Sequence, residues 1–113
     1  MASTNQLELV VESLPGSGEV VRVNGELDLG NVSEFKEALT RSSVVGMLVV
    51  DLSECSFLDS SAVRVLIEAA AKREGDGRGL VLVAPEGGVR RTLEIVGLDK
   101  MLPLHATLSD AAL

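Results

Sequence analysis

The run Asp59-Ser60-Ser61 is the densest patch of chemistry in this chain. It follows Phe57-Leu58 and leads into Ala62-Val63, after which Leu66, Ile67 and Ala70 continue an apolar helical stripe. Two readings of the serines fit that position. A serine at a helix start is a cap, because its hydroxyl accepts from a free N–H of the first turn. The same helix end presents unpaired donors and a partial positive charge, so it also tolerates a phosphate without unfolding the domain. Phosphorylation there would add a charge of about −1.5 to −2 to the surface. A reversible charge at a surface position can block docking.

Other chemistries are poorly supported. A serine nucleophile needs a nearby base. The only histidine, His105, falls at or after the last expected strand. The Gly-x-Ser-x-Gly elbow is absent, since Leu58 and Ala62 stand where its glycines belong. Asp51 closes the run Leu48-Val49-Val50, the placement of the phosphoacceptor in two-component receiver domains. The supporting acids and hydroxyl are missing, with Ser13-Leu14 and Ala84 at the corresponding strand ends, so a Mg²⁺ site does not assemble. Gly75-x-Gly77-x-Gly79 lies between a helix and a strand, the reverse of a phosphate loop. Pro85-Glu86-Gly87-Gly88 lacks the lysine and hydroxyl of a P-loop and reads as a turn. Cys55 has no second cysteine to pair with, which excludes a Cys-rich metal site. No catalytic residue, metal ligand or cofactor is expected.

The elements that must position Ser60 follow from hydrophobic periodicity. Leu7 to Ser13 alternates as a half-buried strand, Leu14 to Gly18 is a turn, and Glu19 to Asn24 is a second strand. Together they predict an antiparallel hairpin. Val32, Phe35, Ala38 and Leu39 predict a helix over 32–42, capped by Asn31 or Ser33. The apolar run from Met47 to Leu52 suits a strand covered on both faces. A helix follows from Ser60 or Ser61 to about Lys72, then a buried strand over Leu80 to Ala84. Pro85 opens a third helical stretch, with Val89, Leu93 and Val96 on one face and Gly97 at its end. Met101 to Leu104 is a short edge strand, and 107–113 closes the chain as a helical turn or two. The order predicts an α/β fold: a mixed four- to five-stranded sheet with an N-terminal antiparallel hairpin and about four helices. One domain over 1–113 is expected. Ligand chemistry in such sheets gathers beyond the carboxyl ends of parallel strands, which would bring Asp28 near Ser60.

Composition narrows the function further. The chain has two Phe, no Trp and no Tyr, which argues against a base-stacking nucleic-acid module. A net charge of −7 repels nucleic acid and anionic membrane alike. It suits docking to a neutral or basic protein face. Met1 to Gln6 shows no signal peptide, and no apolar run reaches about 18 residues, so a cytoplasmic protein is expected.

Three segments in register resemble the STAS domain of bacterial anti-sigma factor antagonists. They are Gly25-Glu26-Leu27-Asp28; Leu48-Val49-Val50-Asp51-Leu52 with Phe57-Leu58-Asp59-Ser60-Ser61-Ala62; and Leu80-Val81-Leu82-Val83 with Val89 to Leu93 and Val96-Gly97-Leu98. The resemblance covers nearly the whole chain. It implies a non-enzymatic regulator that binds an anti-sigma factor while unphosphorylated and is released when phosphorylated. It also implies that the anti-sigma factor is itself a serine kinase that binds the ATP, with a separate serine phosphatase resetting the switch. The phosphoacceptor implied is Ser60, with Ser61 as the alternative. The implied partner surface is Asp28, Leu29, Asp59, Ser60 and Ser61. A STAS module that only scaffolds, or one that serves a transporter, is the other reading. One departure stands out: the family usually carries Gly where this chain has Ala62.

Overall fold

The computed structural model describes residues 7–42 and 46–112. The reading of Met1 to Gln6, and the last residue of the expected closing helix, lie outside them. The elements run β1 (Leu7–Leu14), β2 (Gly18–Leu27), α1 (Val32–Arg41), β3 (Leu48–Leu58), α2 (Ser60–Gly75), β4 (Leu80–Val83), α3 (Gly88–Ile95), α4 (Leu98–Met101), β5 (Leu104–His105) and α5 (Leu108–Ala112). The strands form one sheet in the order β1-β2-β3-β4-β5. β1 and β2 pair antiparallel, as the Pro-Gly turn between them requires, and the remaining pairs are parallel. The expected mixed sheet is therefore five-stranded. Among the described residues there are five helices, in line with the expected four or so. Gly97 takes φ +83 and breaks the third helical stretch into α3 and α4. Val96, placed on the buried face of that stretch, is instead exposed at its end.

Each face of the sheet has its own apolar layer. Val21, Val23 and Leu27 of β2 join Leu48, Val50 and Leu52 of β3 and pack against Phe35, Leu66 and Leu93 of the helices. On the opposite face Val20, Val49, Val81 and Val83 meet Ala111 of α5. With β3 covered on both sides, its first half reads as a continuous apolar run.

β3 does not end at Leu52. It continues to Leu58, and two irregularities explain why alternation failed to show it. Arg22 pairs with Asp51 and Asn24 with Glu54, so β3 carries an extra residue there. Gly25 pairs with Cys55 and Glu26 with Phe57, which leaves Ser56 over as a second. Each extra residue flips the side-chain parity of everything after it. The inward positions are accordingly Leu48, Val50 and Leu52, then Cys55, then Leu58. Gly25 sits at the second irregularity with φ +114, a conformation glycine adopts without steric cost. β4 pairs with β3 only as far as Asp51, so the tail of β3 is paired on the β2 side alone. This overhang carries the chain to Asp59.

Candidate functional site

Asp59, not either serine, caps α2. Its backbone is extended (φ −103, ψ −175), and its side chain accepts from Ser61 N at 2.9 Å and Ala62 N at 3.3 Å. The Ser61 hydroxyl donates to the same oxygen, Oδ1. Asp outranks Ser here for a physical reason: a full negative charge at the positive helix end binds the free N–H groups more strongly than a hydroxyl does. The bond from Ser61, with those from the backbone N–H groups of Ala62, Leu29 and Ser61, holds the Asp59 carboxyl below the usual carboxylate range against a smaller opposing effect of burial. Taking the cap away from the serines separates them. Ser61 is half-buried with its hydroxyl committed to Asp59. Ser60, the first residue of α2, is exposed, and no hydrogen bond engages its hydroxyl among the described residues.

The second oxygen of Asp59 reaches across to another element. Oδ2 accepts from Leu29 N at 3.1 Å, and the Asp59 N–H donates to Leu27 O at 3.1 Å. The loop after β2 is thereby fastened to the start of α2. The same loop is braced from within. Asn31 is buried, its amide donates to Glu26 O at 2.8 Å, and its oxygen accepts from Asp28 N at 3.0 Å. Expected as a helix cap, Asn31 makes no side-chain cap bond to α1 and pins the loop instead. Asp28 accepts from Gly30 N at 2.9 Å through its carboxylate and from Val32 N at 2.8 Å through its carbonyl. Leu29, held between these bonds, is 79% exposed. The loop thus presents an apolar side chain from a braced backbone.

Asp28, Leu29, Asp59, Ser60 and Ser61 thus gather on two adjoining segments. Sequence reasoning missed two contributors. Phe57 is 49% exposed beside Glu26, because the extra residue Ser56 turns it outward. Asn31 is the buried brace. A parity slip and a reassigned cap leave almost no local signal in sequence. Ala62 answers the departure noted above. It is fully buried within α2, so its methyl faces the core and not an approaching protein.

The other candidates fall away from this cluster. Asp51 lies mid-strand and buried, not at a strand end, and is bonded to Arg22 at 3.3 Å. Burial pushes the Cys55 thiol up, and its sulfur donates to Phe57 O at 3.3 Å. Such a thiol is poorly reactive. A cavity of about 390 Å³ opens between α1 and α2, lined by Leu39, Val65, Lys36 and Lys72, at the far end of α2 from Ser60. Among the described residues no three His, Cys, Asp or Glu come together to hold a metal ion. Nor is any helix among them long and apolar enough to cross a membrane.

A STAS domain family model matches residues 9–111. The chain belongs to the STAS domain family. The anti-sigma-F factor antagonist RsfB of Mycobacterium tuberculosis is 34% identical over 96 residues, 81% of this chain and 76% of its own. A crystal structure of an anti-sigma factor antagonist from Mycobacterium paratuberculosis matches this STAS domain with a TM-score of 0.86 and 31% identity, over 98% of this chain and 95% of the other. The anti-sigma factor antagonist SpoIIAA of Bacillus, in its unphosphorylated form, matches with a TM-score of 0.70 and 25% identity, over 92% of each chain.

Proposed function

We propose that this STAS domain is an anti-sigma factor antagonist switched at Ser60. Unmodified, it binds an anti-sigma factor through Leu29 and the segment around Asp59 to Ser61, and the anti-sigma factor gives up its sigma factor. The anti-sigma factor is also the kinase. It binds ATP and moves the γ-phosphoryl group to Ser60 Oγ, leaving ADP and the displaced hydroxyl proton. A serine phosphatase removes the phosphate as inorganic phosphate. The STAS domain performs no catalysis, binds no nucleic acid or membrane, and works in the cytoplasm.

The observation that carries this reading is the contrast between the two hydroxyls. Among the described residues Ser60 is exposed and unengaged at the first position of α2, while Ser61 is spent on Asp59. A dianion on Ser60 would sit within the surface offered to the partner. Unless the partner supplies matched donors, desolvating it costs several kcal/mol. A loss of about 2.7 kcal/mol already weakens binding about a hundredfold.

Incubation with the cognate anti-sigma kinase and ATP should add one phosphate, and Ser60→Ala should abolish it. A phosphate that maps to Ser61 in the wild type would refute the site. Binding of Ser60→Asp as tight as wild type would refute release by charge.

A further inference from the structure

α2 presents an outward stripe in which Ser60 is followed one turn later by Arg64. Both are exposed. Residues four apart on a helix share a face, and helical side chains lean toward the N-terminus, so the Arg64 guanidinium can reach the turn that holds Ser60. Among the described residues Arg64 makes no ion pair. The charged groups nearest it in sequence are Asp59, the cap of α2, whose oxygens are taken by Leu29, Ser61 and Ala62, and Glu68 one turn on. A cation preceding an acid by four residues is the weaker order of such a pair.

We infer that Arg64 is the intramolecular partner of the phosphate on Ser60. This rests on the reading of Ser60 as the modified residue. Guanidinium and phosphate match in shape, and the pair can form two parallel N–H···O bonds. The consequence goes beyond holding the group in place. In the unmodified protein Arg64 is a cation on the docking face, available to an acidic group of the partner. Once Ser60 is phosphorylated, that cation turns inward to the phosphate. The modification therefore changes the face twice: it adds a dianion and it withdraws a positive charge. A switch built this way discriminates more sharply than repulsion alone.

The test uses full-length protein with phosphoserine installed at position 60 during translation, so no kinase is needed. The phosphorus NMR signal is titrated with pH in the wild type, Arg64→Gln and Arg64→Lys. Arg64 is exposed, so both variants should fold, and circular dichroism checks this. Pairing with Arg64 should lower the second phosphate pKa, ordinarily about 6, by about half a unit relative to Arg64→Gln. Arg64→Lys should restore part of that shift, and about 1 M salt should erase it. Wild type and Arg64→Gln agreeing to within about 0.1 unit would overturn the inference, since charge pairing must favour the dianion. That result would leave the proposed function standing. A kinase that ignores Ser60 would count against the proposed function and not against the pairing.

Discussion

Two aspartates eight residues apart on one stretch of chain, Asp51 and Asp59, build the same local motif and serve opposite ends. Each accepts at Oδ1 from the backbone and hydroxyl of the serine two residues on. For Asp51 these are Ser53 N at 3.0 Å and Ser53 Oγ at 2.6 Å. For Asp59 they are Ser61 N at 2.9 Å and the Ser61 hydroxyl. The difference lies in Oδ2. In Asp51 it meets the Arg22 guanidinium, which also reaches Glu12 at 3.2 Å. In Asp59 it holds a backbone N–H of a loop that exposes Leu29. The first arrangement locks strands together. The second latches a surface loop to a helix. What an Asp-x-Ser motif does is therefore set by the partner of its second oxygen, which lies 29 or 30 residues away in sequence.

Removing each aspartate should make the contrast measurable. Asp51→Ala takes one of its two carboxylate partners from a half-buried guanidinium and removes the acceptor of Ser53, leaving Arg22 only Glu12, and should cost about 2 kcal/mol, less than breaking a fully buried pair. Urea unfolding reads this directly. A loss as small as that of an exposed surface change would show that Asp51 is not structural. Asp59→Ala removes a helix cap and should cost about 1 kcal/mol. Its larger effect should be local: amide exchange at Leu29 and Gly30 should quicken while the β2–β3 core stays protected. Uniform acceleration through the sheet would erase the distinction between lock and latch.

Acid should produce the smallest effect. The folded pKa of Asp59 lies below its ordinary value of 3.8. A carboxylate shifted down stabilises the fold above its unfolded pKa, and that contribution disappears as pH falls through the folded pKa. The Leu29 amide resonance should therefore titrate with its midpoint below pH 3.8. A midpoint above 3.8 would mean that the carboxylate is not held by these bonds in solution.

Much of this was readable from residues alone. The hairpin, both buried parallel strands, α1 and α2 follow from periodicities that the sheet and its two apolar layers enforce. The adjacency of the Asp28 loop and Ser60 followed from the rule about strand ends. Two things were hidden, for separate reasons. β3 reached Leu58 unseen because bulges reset the alternation, and because its tail lacks β4 as a neighbour and so carries Ser53, Glu54 and Ser56. The identity of the cap was hidden because Asp59, Ser60 and Ser61 are all good capping residues, and only the loop across the gap decides among them. The contact of Asp59 with Leu29 spans 30 positions and has no local signature.

That contact bears on what evolution can do at position 59. At most helix starts Asp, Asn and Ser are close to synonyms, since one acceptor atom suffices. Here two oxygens are needed, one aimed along α2 and one sideways at Leu29. Serine offers a single oxygen, and asparagine has an amide nitrogen in place of its second, so either would have to drop the helix or the loop. A change that is nearly neutral at most helix starts should therefore cost a contact here, although nothing in the helix itself forbids it.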